Sequence, residues 1–244
     1  MKNCDNLRYS IELSIIIPCY NVEGYIEQCL NSILQQKILP REILCIDDGS
    51  TDNTANIIKR YCETHTQIKY IYQKNQGVSQ ARNIGLKHAI SQYIQFVDPD
   101  DVLHFKLLDC FFQIYKLNKN IELFYFENEN FHDFQMIKLK SKTQINYQAR
   151  KFVTGNDLFR HLINIKKYPG ACWKYIFLKD RLTIKFEGRN HEDHLITLHI
   201  LLSSKLCYYF KSPLYFYRQR SNSLTNKKEI CKEYINLLSN VIIK

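Results

Sequence analysis

Three polar clusters in the first 103 residues have the types and spacing to do chemistry. The tightest lies in YIQFVDPDDVL, residues 93–103, where an apolar run gives way to Asp98, Asp100 and Asp101 around Pro99. Carboxylates this close repel one another unless a cation or a set of donors holds them. Hard divalent cations such as Mg²⁺ or Mn²⁺ take one or two carboxylates and complete their shell with substrate phosphate oxygens. A cation held that way offsets the charge that grows on a departing diphosphate. The plainer role for an isolated Asp-x-Asp is to cap a helix or face water. The second cluster, Asp47-Asp48-Gly49-Ser50, could accept hydrogen bonds from a base or ribose, or cap the helix after it, which Asp52 could also do. The third, Pro18-Cys19-Tyr20-Asn21, offers in Tyr20 a flat face on which a base could stack.

The elements that must carry these clusters are legible from periodicity. LSIIIP at 13–18, EILCI at 42–46, IKYIY at 68–72 and YIQFV at 93–97 are short apolar runs that fit strands buried on both faces. Residues 24–36 and 78–90 have helical spacing, and a helix is expected after DDGSTD with Thr51 or Asp52 as its N-cap. Strand and helix alternate four times, which means a parallel sheet covered by helices, an α/β architecture. In such sheets ligands bind beyond the carboxyl ends of the strands, and all three clusters fall there. After residue 104 the alternation breaks. A helix over 104–117, aromatic-rich strands at IELFYFENENF and FQMIKLK in an antiparallel excursion, and a helix over 156–164 with Thr154 near its start are expected. A largely buried helix over 192–203 follows, then strands near 206–210 and 214–218, then a basic amphipathic helix over 227–243.

Composition narrows the class. With 45% hydrophobic residues the 244-residue chain can bury a substantial core. The first twelve residues carry charges and no continuous apolar stretch, so no leader is expected, and no run is long enough to span a membrane. The nine cysteines are scattered and never spaced C-x-x-C, which suits buried thiols in a reducing compartment, the cytoplasm. Residues 1–150 hold 17 Lys+Arg against 17 Asp+Glu, whereas residues 151–244 hold 17 against 7, so the whole +10 sits in the second part. That excess is either a solvated basic face or a surface for an anionic partner: nucleic acid, a phosphate-bearing ligand or an acidic membrane.

LSIIIPCYNVEGYIEQCLNSILQQ, EILCIDDGSTDNT, NQGVSQARNIGLKHA and YIQFVDPDD, taken together and in this order, resemble the donor-binding half of the family 2 glycosyltransferases, which use the GT-A fold. The likeness covers roughly residues 12–103 and thins beyond, where the acceptor is recognised. It implies a donor-binding half over 1–103, an acceptor-binding half over 104–225 and a basic C-terminal helix over 226–244, in one compact GT-A domain. It also implies that Pro18, Tyr20, Asn21, Glu23 and Asp48 bind the nucleotide. Arg82 would contact the donor diphosphate or sugar, with Lys74 and Gly77 in the loop leading to it. Asp98 and Asp100 match the family's metal and donor motif, with Asp100 the direct ligand of Mn²⁺ or Mg²⁺; Pro99 replaces the common serine and leaves both acids in place.

The same resemblance makes Asp193, in GRNHEDHLITL, the base that deprotonates the acceptor hydroxyl, with Glu192 orienting it or binding the acceptor. Acids opening a helix are also favourable for electrostatic reasons alone. His191 and His194 flank the pair without a third zinc ligand in view. Trp173 either borders a sugar or fills the core. Arg218, Arg220 and Ser223 either close over the diphosphate or form rim contacts. The implied reaction is an inverting transfer from a nucleotide-sugar, a UDP-sugar first among them, to a saccharide or lipid-linked saccharide in bacterial capsule, lipopolysaccharide or exopolysaccharide assembly. It would take place in the cytoplasm, with the basic part resting on the anionic inner face of the membrane. A nucleic-acid binder would leave the acidic turns unexplained. A nucleotidyltransferase would bring a Gly-rich phosphate loop, where PCYNVEGY has one glycine. A donor-binding pseudoenzyme is the remaining alternative.

Overall fold

Residues Ser10–Cys19 form β1, and nearly all of the strand is buried because it lies between two parallel neighbours and under helices on both faces. The period of two sends Leu13, Ile15 and Ile17 into one apolar core and Ile16 into the other. The computed structural model describes residues 10–132, 148–167, 170–188 and 192–219, the Glu192 side chain excepted. Strand β2 (Leu39–Asp47), β3 (Ile68–Tyr72) and β4 (Tyr93–Phe96) complete a parallel set in the order β3-β2-β1-β4. Pro40 is tolerated because it falls at the start of β2.

Helices α1 (Ile26–Leu34), α2 (Thr54–Thr64) and α4 (Leu107–Leu117) supply one core, and α3 (Val78–His88), α5 (Gly155–Asn164) and α6 (Glu192–Ser203) border the other. Helix α3 can lie close on β1 because residue 85 is glycine: a Cβ there would come within 2.3 Å of the Ile16 side chain. Thr154 caps α5, accepting from the Asp157 N–H at 3.1 Å, as its position near the helix start suggested.

Beyond β4 the sheet continues without a break but changes direction. Strand β8 (Tyr175–Leu178) is antiparallel to β4 and to β6 (Leu123–Phe131), while β6 runs parallel to β9 (Cys207–Arg218). Short strands β5 (Val102–Leu103) and β7 (Ala149–Phe152) also pair antiparallel with β9. Among the described residues nine strands form this one sheet, in the order β3-β2-β1-β4-β8-β6-β9-β5 with β7 also on β9. The α/β class with a mostly parallel sheet flanked by helices is therefore what the chain adopts.

Three expectations need correction. The two strands expected near 206–210 and 214–218 are one strand, which passes Pro213 by a register shift against Phe126–Asn128. The IELFYFENENF segment is not purely an antiparallel excursion, since its longest pairing, to β9, is parallel. Helix α2 starts at Thr54 with Asn53 at the N-cap position, one residue later than expected, although the Asp52 carboxylate still serves the helix start, accepting from Thr54 N–H as well as from Glu23 N–H. The FQMIKLK strand and the helix expected over 227–243 lie outside the described residues.

Candidate active site

The parallel strands end at one edge, and the polar clusters meet there. After β1, Asn21 takes a left-handed backbone (φ 49°) that turns the chain across the end of β2. The loops after β1 and β2 are then stitched together. Asn21 N–H donates to Ser50 Oγ (3.1 Å) and its Oδ1 accepts from Thr51 N–H (2.8 Å). Glu23 N–H donates to Asp52 (3.0 Å), and Glu23 accepts from Asn53 N–H (2.8 Å). Pro18 is buried in register with Ile46, so it shapes the floor, while Tyr20 is 49% exposed and presents its ring at the edge.

The β2 turn is saturated by the protein itself. Asp47 accepts from Ser50 N–H (2.9 Å) and from the Tyr70 hydroxyl (2.6 Å). Asp48 accepts from Gln73 Nε2 (2.5 Å), Gln76 N–H (2.8 Å) and Gly77 N–H (2.9 Å). Asp48 thereby holds the 73–77 loop, on which Lys74 is exposed, at the mouth of the site. Gly49 (φ 76°) is required where this loop passes: a Cβ would come within 2.9 Å of the Asn75 nitrogen. Gly77 (φ 92°) is the N-cap of α3, the helix that delivers Arg82.

The β4 turn is built differently. Asp101 points inward, fully buried, accepting from the Tyr215 hydroxyl (2.8 Å) and from Arg218 N–H (2.7 Å). Burial, reinforced by the Asp98 and Asp100 charges, pushes its carboxyl well above the usual range. The Tyr215 hydroxyl also accepts from Asp98 N–H (3.1 Å), so one phenol ties two members of the turn to β9. Trp173, 7% exposed, stacks on Tyr215 with centroids 4.4 Å apart and planes 13° apart. The lone tryptophan thus packs in the core behind the turn. Arg218 is 4% exposed: its Nε donates to the Asp100 carbonyl (2.6 Å), its guanidinium reaches Gln28, and it lies over the Tyr25 and Phe131 rings. Asp98, by contrast, keeps its side chain one-quarter exposed and faces Arg82, whose Nη2 is 3.3 Å away.

This donor set can be tested against a divalent cation. Among the described residues no group of three or more His, Cys, Asp or Glu side chains is placed to hold a metal. Asp98 and Asp100 offer hard oxygen donors only, two carboxylates at most. That fits Mg²⁺ or Mn²⁺ completed by substrate phosphate, and does not fit an all-protein zinc or calcium cage.

In the second part, Asp193 is in the first turn of α6, about one-quarter exposed, with the His194 ring nitrogen 3.9 Å from its Oδ1. Thr197, one turn on, shares a hydrogen bond with the buried Tyr175 hydroxyl (2.9 Å), fixing the helix on β8. His191, Arg220, Ser223 and the expected helix over 226–244 lie outside the described residues, as does the Glu192 side chain. The sequence reading missed Tyr215 and Gln73, whose roles depend on partners far along the chain and leave no local signal. The cysteines described are all free thiols, most of them buried. No described helix is long and apolar enough to cross a membrane.

Comparison with known proteins bears on the family and the fold. The profile described as Glycosyl transferase family 2 matches residues 14–164. Glycosyltransferase GlyA of Streptococcus pneumoniae is 29% identical over 236 residues, covering 88% of this chain and 31% of that protein. The crystal structure of S. aureus TarS 1–349 in complex with UDP-GlcNAc superposes with a TM-score of 0.73 at 22% identity, over 95% of this chain and 65% of that one. The mannosyltransferase PcManGT of Pyrobaculum calidifontis, in complex with GDP-Man and Mn²⁺, gives a TM-score of 0.60 at 17% identity, over 88% of this chain and 59% of that one. The chain thus spans less than two thirds of the length of each of these proteins.

Proposed function

This chain belongs to glycosyl transferase family 2, and from that premise we propose that it moves a sugar from a nucleotide-sugar to a hydroxyl of a saccharide or lipid-linked saccharide, with inversion. The observation that carries the reading is the convergence at one sheet edge of an exposed Tyr20, the Asp48-held loop, Arg82 and the Asp98–Asp100 turn. Because a protein of the same fold was crystallised with UDP-GlcNAc, UDP-sugars are the donors to try first.

In this reading the Tyr20 ring stacks on the base, while Pro18, Asn21, Glu23 and Asp48 shape its pocket. Arg82 and Lys74 approach the diphosphate, and Gly77 keeps the backbone between them slim. Asp98 and Asp100 are the residues that would hold Mn²⁺ or Mg²⁺, which when bound offsets the charge on the leaving diphosphate. The Arg82–Asp98 contact keeps each group aimed at the other until a donor arrives. Asp193 takes the proton of the acceptor hydroxyl as its oxygen bonds to the anomeric carbon. The bond from that carbon to the diphosphate breaks, and the nucleoside diphosphate leaves with the electron pair. Glu192 orients Asp193 or the acceptor. Arg218 supports the acidic turn from behind. The positive charge of residues 151–244 favours an anionic membrane surface, where a lipid-linked acceptor resides. Sedimentation with anionic and neutral liposomes checks that last point: binding confined to anionic lipid and lost at high salt is expected.

The testing experiment is a nucleotide-sugar panel, read by thermal shift and by nucleoside-diphosphate release, each with Mn²⁺ and with EDTA. One UDP-sugar should stabilise the protein and be turned over slowly only with metal, and Asp193→Asn should bind it without turnover. No stabilisation by any nucleotide under either condition overturns the reading.

A further inference from the structure

Phe186 sits where three parts of the molecule meet, and nothing in its local sequence marks it. Its ring is 2% exposed and stands edge-on to Phe96 (5.1 Å, 81°), the last residue of β4, two positions before Asp98. The Arg82 guanidinium lies over the same ring at 5.4 Å. Its main chain is held at both polar groups by one side chain. Phe186 N–H donates to Asn83 Oδ1 (3.0 Å), and its carbonyl accepts from Asn83 Nδ2 (2.9 Å). One turn earlier on α3, Ser79 Oγ donates to the Gly188 carbonyl (2.7 Å), at a residue whose φ of 88° turns the chain. Ser79, Arg82 and Asn83 are spaced i, i+3, i+4 and therefore share one face of α3. Helix α6, with Asp193 in its first turn, opens four residues after Gly188.

We propose that Ser79 and Asn83 are positioning residues for the base: they dock segment 186–188 on α3, so that one rigid helix sets both the donor contact of Arg82 and the entry of the chain into the Asp193 turn. This rests on the assignment of Asp193 as base. An amide that bonds both backbone groups of one residue fixes the main chain as a strand neighbour does, which a single hydroxyl could not. The rest of α6 does not depend on this clamp. Thr197 is tied to Tyr175 (2.9 Å), His199 Nε2 to the Thr183 hydroxyl (3.0 Å), and Ser203 to the Arg181 carbonyl (2.9 Å). Loss of the clamp therefore frees the approach to the helix while leaving the fold standing. Displacements near 1 Å at a reacting group cost on the order of 100-fold in rate.

The test uses the full chain and the UDP-sugar that the wild type turns over fastest, with Mn²⁺. Asn83→Ala is expected to lower kcat for UDP release about 10- to 100-fold, with UDP affinity and donor KM within about twofold of wild type. Asn83→Asp keeps the acceptor for Phe186 N–H but sets a carboxylate oxygen against the Phe186 carbonyl, so its kcat should fall at least as far as that of Asn83→Ala. Ser79→Ala should show a smaller loss of the same kind, and it carries the test should Asn83→Ala fail to fold. Unchanged kcat in these variants, or a loss matched by an equal loss of UDP affinity, overturns the inference. Asp193→Asn in parallel separates the two claims. If it retains turnover, the base assignment falls; if it is inactive while the Asn83 and Ser79 variants match wild type, the positioning role falls.

Discussion

The two acidic turns at the strand ends look alike in sequence and are opposites in structure. In the β2 turn both carboxylates are occupied by the protein: Asp47 by Ser50 and Tyr70, Asp48 by Gln73, Gln76 and Gly77. In the β4 turn the innermost acid, Asp101, takes the structural bonds to Tyr215 and Arg218, while Asp98 stays partly exposed against Arg82. A carboxylate satisfied by several N–H and O–H donors is a building part; one left beside a cationic side chain at an open edge is where a substrate's charge can be received. In the proposed reading, the first turn builds the pocket and the second does its chemistry.

That contrast can be broken by substitution, and the largest effects belong to the β4 turn. Asp100→Ala should lower metal-dependent turnover about 1,000-fold, as removal of a metal-assisted electrostatic contribution does. Tyr215→Phe removes the hydroxyl shared by Asp98 N–H and Asp101. It should cost about 1–3 kcal/mol of stability and weaken the Mn²⁺ response of UDP binding roughly tenfold, measured by denaturant unfolding and titration calorimetry. Asp48→Asn puts an amide N–H against one of the N–H donors that the carboxylate now satisfies, so about 1–3 kcal/mol of stability should go. Its UDP affinity should fall equally with and without metal.

The smallest effect comes from a carboxylate at the other end of β2, which serves as a control. Glu42 is 1% exposed and accepts from Ser14 Oγ (2.6 Å), Lys69 Nζ (2.7 Å) and Ile90 N–H (2.7 Å). Burial alone would raise its pKa, but the Ile90 N–H, Lys69 and Ser14 outweigh that and hold it below the usual carboxylate range. A depressed carboxylate stabilises the fold above its unfolded pKa, about 4.3, and that contribution is lost as pH falls through the lower folded value. Glu42→Gln should therefore flatten the acid limb of a melting-temperature–pH profile and leave turnover per folded molecule unchanged.

How much of this was legible in the sequence follows from where the partners lie. The four parallel strands and their helices were readable because each is an apolar run or a helical stripe complete in itself. The identities of Asp48, Asp98, Asp100, Arg82 and Asp193 as candidates came from motif order. What divides the two turns was not readable, since Tyr215 meets Asp101 across 114 positions and Gln73 meets Asp48 across 25. The Asn83 clamp spans 103 positions and leaves no local trace. Strands β5, β7 and β8 have 2, 4 and 4 residues, too few for a period to show. Lys211-Ser212-Pro213 reads as a break, and only pairing with β6 carries the strand through it.

The measurement that bears most directly on the division between the turns is UDP titration with and without Mn²⁺ for wild type, Asp100→Asn and Asp48→Asn, alongside their ligand-free melting temperatures. Asp100→Asn is expected to abolish the gain in affinity due to Mn²⁺, and Asp48→Asn to melt lower while keeping that gain. An Asp100→Asn protein that still binds UDP more tightly with Mn²⁺, or an Asp48→Asn protein that loses that gain, would contradict this division.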